Sequence, residues 1–132
     1  MKRILSLLLI FVLLLSLTSC GTLNFVDIEE FSSEIYTARD ISDAMEVVLE
    51  YFQDQKDRIL LNLSYAGDGA ITEYADWAVR NGADEVIVFM TDYYVSHFSN
   101  TPTQNVGSEY ENWAFILVRT NGGEWEIVDQ GY

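Results

Sequence analysis

Between Glu85 and Val95 the chain reads EVIVFMTDYYV, its longest strand-forming run. Val86 to Met90 is apolar at every position, which suits a central strand covered on both faces. From Asp92 onward polar residues alternate in. The neighbouring strands are legible on either side. Residues 59–65 alternate, with Ile59, Leu61, Leu63 and Tyr65 on one face and Leu60, Asn62 and Ser64 on the other. Residues 113–120 form the next strand. Asn121-Gly122-Gly123 then supplies a tight hairpin turn, because Asn-Gly readily takes the positive φ angles it requires. Residues 124–129 return, with Trp125 and Ile127 facing one way.

Two helices precede and interrupt these strands. Residues 40–55 place Ile41, Met45, Val48 and Phe52 at helical spacing, widened by Ala44, Val47 and Tyr51, with Glu46, Glu50 and Asp54 opposite. Asp40 is the expected N-cap and Asp43 stands three residues on. Residues 70–80 give a second helix, with Ile71, Tyr74, Ala75 and Ala78 on one stripe and Trp77 beside it. Asn81-Gly82 provides its left-handed stop. Gly67-Asp68-Gly69 ahead of that helix lacks the lysine and the full glycine spacing of a phosphate loop. The order is helix, strand, helix and three strands. It predicts an α+β fold with helices packed on one face of a curved, mostly antiparallel four-stranded sheet. That order resembles the cystatin-like and NTF2-like α+β rolls, in which a curved sheet wraps a long helix. Four clear strands are fewer than the fuller NTF2-like pattern has.

The N-terminus carries a different signal. Lys2-Arg3 leads into an uninterrupted run over residues 4–17 that is apolar apart from serines, then Leu17-Thr18-Ser19-Cys20-Gly21. Positive residues, an apolar run and small residues at a cut site are what export machinery reads. The run is short for a spanning helix, which needs roughly 20 residues to cross about 30 Å of hydrocarbon. Leu17, Thr18, Ser19 and Cys20 resemble the lipobox of bacterial lipoprotein precursors, position by position. The resemblance implies cleavage before Cys20, the only cysteine, which would carry a diacylglyceryl thioether. It implies an anchor on the outer face of the cell membrane, or of the outer membrane in a two-membrane source, since Gly21 is not an aspartate. The organisation expected is a cleaved signal at 1–19, a lipidated tether at 20–37 and a single α+β domain at 38–132. Phe25, Val26, Ile28, Phe31 and Ile35 suit water poorly, so part of the tether is expected to pack on the domain. The closing stretch Trp113 to Tyr132 also resembles the tail of small exported lipoproteins of uncharacterised role. It carries their W-x-x-I-L-V-R, G-G-x-W and D-x-G-Y pattern, and this implies no activity.

Removal of residues 1–19 takes away two basic residues and no acid, leaving five basic residues against 21 acidic ones, or about −16. That charge argues against nucleic acid and against adhesion to anionic lipid. With Cys20 acylated, no thiol remains for a disulfide or for catalysis.

Catalytic signatures are sparse. His97 is the only histidine. It can be drawn into a triad with Asp92 and Ser96, Ser99 or Ser108, with no supporting motif. One histidine among carboxylates is a poor zinc site, and Asp68 to Glu73 lacks the alternating acids of a calcium loop. No cofactor or metal is expected. The long loop at residues 97–112 is of the length that is often functional. Around it stand Tyr93, Tyr94, His97, Phe98, Tyr110 and Trp113, a set suited to stacking on a sugar or peptide. The expectation is a lipid-anchored, non-catalytic module for a protein, peptide or glycan partner. The alternative is a small exported hydrolase using His97 with a carboxylate.

Overall fold

A computed structural model describes residues 26–99 and 104–132. Helix α1 (Ala38–Asp54) begins one turn earlier than Asp40 would have it. Thr37 is the N-cap, and the capping box closes with Asp40: the Asp40 N–H donates to Thr37 Oγ1 at 3.1 Å, and the Thr37 N–H donates to Asp40 Oδ2 at 3.0 Å. Each residue satisfies an otherwise orphan donor of the other. Ile41, Ala44, Met45, Val48 and Phe52 form the buried stripe, as the spacing predicts.

The sheet has five strands in the order β1-β2-β3-β4-β5: β1 (Asp27–Ile28), β2 (Arg58–Tyr65), β3 (Glu85–Val95), β4 (Glu109–Arg119) and β5 (Glu126–Gly131). β1 is parallel to β2, and every other neighbour is antiparallel. The α+β class stands, while the strand number is five rather than four. The extra strand is only two residues long and lies within the stretch read as tether. There Val26 and Phe31 pack on the core, and Tyr36 is buried with its hydroxyl donating to the Val86 carbonyl at 2.9 Å.

Helices cover both faces of the sheet, correcting the one-sided arrangement. α1 lies over Leu63, Ile87, Phe89, Phe115 and Leu117. The second helical stretch breaks at Tyr74 into α2 (Asp68–Glu73) and α3 (Ala75–Arg80). Their Ala70 and Ala78 pack on Val86, Val88, Ala114, Ile116 and Val118, on the other face. Successive residues of a strand point to opposite sides, so the all-apolar Val86–Met90 run requires this double cover. Asp68 ties down the N-terminal segment: Ser33 Oγ, the Glu34 N–H and Tyr65 Oη all donate to its carboxylate.

The alternation in β2 is corrected as well. Leu60 pairs with Tyr93 and Asn62 with Asp92, which leaves Leu61 as an extra residue. This bulge resets the phase, so Leu60 and Leu63 both face the α1 core while Ile59 is exposed. The hairpin turn is as expected, with Asn121 at φ 55° and Gly122 at φ 65°.

Asp40 gives a pH prediction. Its capping bond with Thr37, followed by its bond to Arg119, holds its carboxyl down from 3.8 to about 2. A depressed folded pKa contributes stability above the unfolded value, and that stability is lost as pH falls through the folded one. Urea midpoints should therefore fall between pH 4 and 2, and Asp40→Asn should flatten the fall in that window. An unchanged slope in the variant would exclude this carboxylate as a source.

Candidate binding surface

The end of the sheet where β2 starts and β3 passes to β4 gathers the aromatic residues. Its geometry depends on a second bulge. Thr91 pairs with Trp113 and Tyr93 with Tyr110, so Glu111 and Asn112 together oppose Asp92 alone. Asn112 takes φ 53°, and its N–H donates to Asp92 Oδ1 at 2.8 Å. Asn tolerates this left-handed conformation better than most residues. Residues three apart on a regular strand face opposite ways. The extra residue brings Tyr110 and Trp113 to the same face, beside Tyr93.

There Tyr93 and Tyr110 stack, with centroids 5.3 Å apart at 9°. Trp113 meets both edge-on, at 5.9 and 5.7 Å. Tyr132 meets Trp113 at 4.8 Å and is 83% exposed. The polar frame comes from four separate elements, α1, β2, β4 and β5. Arg58 Nη1 donates to Tyr51 Oη at 2.7 Å, Gln130 Nε2 donates to the same hydroxyl at 2.9 Å, and Trp113 Nε1 donates to Gln130 Oε1 at 3.3 Å. Gln104 Nε2 donates to Tyr93 Oη at 2.5 Å. The Arg58 guanidinium carbon lies 5.8 Å from the Tyr93 ring centroid. Burial raises the Tyr93 phenol above its usual pKa of 10, so it stays protonated. Two buried atoms, Arg58 Nε and Gln104 Oε1, have no hydrogen-bond partner among the described residues.

The six residues singled out from sequence divide. Tyr93, Tyr110 and Trp113 come together, although Tyr93 is fully buried and serves as backing rather than contact surface. Tyr94 turns to the opposite side, where its ring meets the His97 ring at 6.1 Å. Phe98 stands 93% exposed, three residues beyond the end of β3. His97 packs on Gly107, where an added Cβ would lie 2.6 Å from His97 Cε1; with φ at 76° this position requires glycine. Cys20 lies outside the described residues. Sequence reasoning missed Tyr51, Arg58, Gln104 and Gln130. Tyr132 did carry a signal, as the last residue of the closing aromatic pattern.

At the other end of the sheet, a pocket of about 300 Å³ lies between α3 and the β4–β5 turn, with Glu124, Glu126 and Asn81 among its lining residues. Among the described residues no three His, Cys, Asp or Glu side chains group to hold a metal ion, and no helix is long and apolar enough to cross a membrane. Comparisons with protein families, with curated proteins and with solved structures gave no significant match.

Proposed function

We propose that this chain is an exported protein held at the outer face of a membrane by lipid on Cys20, and that it acts as a non-catalytic binding module. Its contact surface is the aromatic end of the sheet, and its partner is a peptide or glycan segment. One observation carries the binding reading: the exposed ring of Tyr132 and the half-buried ring of Trp113 stand near a buried donor and a buried acceptor, Arg58 Nε and Gln104 Oε1, that lack partners among the described residues. Buried polar atoms are normally satisfied, so such a pair beside stacked rings fits a ligand that brings both an apolar face and hydrogen-bonding groups. The charge of about −16 speaks against nucleic acid as that partner. Support for the anchor is the lipobox-like Leu17-Thr18-Ser19-Cys20. Stable membrane attachment takes more than one acyl chain, which a lipidated N-terminal cysteine supplies. Kinship with the α+β rolls belongs to the same proposal, supported by one long helix along a bulged antiparallel sheet.

Two measurements test the reading. Protein purified from its native membrane should have Cys20 as its acylated N-terminus, and Cys20→Ser should leave the membrane fraction. An unmodified thiol removes the anchor. On peptide and glycan arrays, Tyr132→Ala should weaken whatever binding the wild type shows by at least about 1 kcal/mol, roughly fivefold, as truncation of a contact aromatic does. Tyr132 is exposed enough for the variant to fold. Turnover of a hydrolase substrate that vanishes in His97→Ala would instead establish the catalytic alternative.

A further inference from the structure

We infer that the aromatic end of the sheet faces the lipid leaflet and touches it through Phe98 and Val106, which leaves Trp113 and Tyr132 at headgroup level to meet a partner held at the same surface. The inference rests on the anchor at Cys20 and adds to it an orientation. The first support is the reach of the chain. Cys20 stands seven residues before Asp27, and seven residues span at most about 25 Å. So short a link keeps the domain, roughly 30 Å across, within about one of its own diameters of the headgroups.

The second support is direction. β1 runs parallel to β2, with Asp27 opposite Asn62 and Ile28 opposite Leu63. β2 begins at Arg58, so the chain arrives at β1 from the side of the aromatic end. That end is four residues of β2 away, about 13 Å, well within the reach of the link. To place the lipid beyond the opposite end, the same residues would have to double back along β1.

The third support is the chemistry of the surface that this direction selects. Phe98 is 93% exposed and Val106 44% exposed. The turns that carry them are held together at the end of β3: the Gly107 N–H donates to the Val95 carbonyl at 2.8 Å, and the Ser99 N–H donates to the Ser96 carbonyl at 3.0 Å. Ile59, also exposed, lies on the neighbouring strand, and Trp113 and Tyr132 stand slightly farther up. Apolar tips below amphipathic rings match the layering of a bilayer interface, where Trp and Tyr settle at headgroup level. The domain's strong negative charge opposes anionic lipid, so the surface that fits is a neutral, zwitterionic one.

The orientation is tested with the full lipidated protein in vesicles of phosphatidylcholine. Because Cys20 is acylated, a polarity-sensitive fluorophore can be attached through Phe98→Cys or, in a separate sample, through Val79→Cys. Val79 is 77% exposed on α3, at the far end of the molecule. The label at 98 should shift to the blue on reconstitution and be quenched several-fold less by aqueous iodide than the label at 79. Protein that floats with the vesicles while both labels quench equally overturns the orientation and leaves the anchor standing. Protein that does not float overturns both.

Discussion

Arg119→Ala is expected to cost about 2–4 kcal/mol of folding stability, somewhat below the range for breaking a fully buried ion pair because its partners are partly solvated. The side chain is 11% exposed and grips two carboxylates. Nε and Nη2 reach the two oxygens of Glu85 at 2.6 and 3.0 Å, while Nη1 reaches Asp40 Oδ1 at 2.8 Å. The guanidinium lies 4.3 Å from the Trp125 ring centroid and 5.8 Å from that of Tyr36, so the cation is also held by ring faces. Burial, then the Glu85 charge, pushes the Tyr36 phenol up to about 12, which keeps it a donor to the Val86 carbonyl. Removing the cation leaves two acids facing each other with Tyr36 and Trp125 over a gap. Arg119→Lys should recover only part of the loss, because an ammonium has no planar fork to match the bidentate Glu85. Urea unfolding at neutral pH, with unchanged m-value, measures both. A loss in the alanine variant of less than about 0.5 kcal/mol, the range of ordinary surface changes, would show that Arg119 is not the tie between the start of α1 and the sheet.

How far this fold could be read from sequence turns on which signals are local. The apolar run Val86–Met90 states its own requirement for cover on two sides, and the structure meets it with α1 on one face and α2 and α3 on the other. Placing both helical stretches on one face ignored that requirement. The stripe of α1 and the Asn121-Gly122 turn are local and were legible. The bulges were not, because simple alternation has no means of marking an extra residue. Leu61 therefore reversed the expected faces at the start of β2, for Ile59 and Leu60, while Leu63 and Tyr65 kept theirs, and Asn112 brought Tyr110 and Trp113 together. Aromatic composition near the loop marked the end of the sheet where Tyr93, Tyr110 and Trp113 come together. Arg58, Tyr51 and Gln130 escaped notice because they converge only through pairing of distant strands and helix packing.

Phe115→Ala should be the most damaging single truncation, about 3–5 kcal/mol, as for large aromatic side chains removed from a packed core. Phe115 is fully buried in the middle of β4 and meets Phe52 at 5.4 Å and Tyr51 at 5.2 Å between centroids. Phe52 in turn meets Tyr93 at 5.5 Å, so these rings form one continuous layer from α1 to the stacked Tyr93 and Tyr110. Phe52→Ala alone should cost a similar amount, about 3 kcal/mol or more. The double variant should lose less than the sum, by roughly 0.5–3 kcal/mol, because both deletions open the same space. A strictly additive cycle in urea would mean that the two rings stabilise the fold separately and that no shared layer backs the aromatic end. With coupling, and on the proposed function, Phe52→Ala should also weaken binding at Tyr132 without touching the exposed ring itself. The stack beneath the proposed contact surface would have lost its support, because exposed rings are only as well placed as the core that holds them.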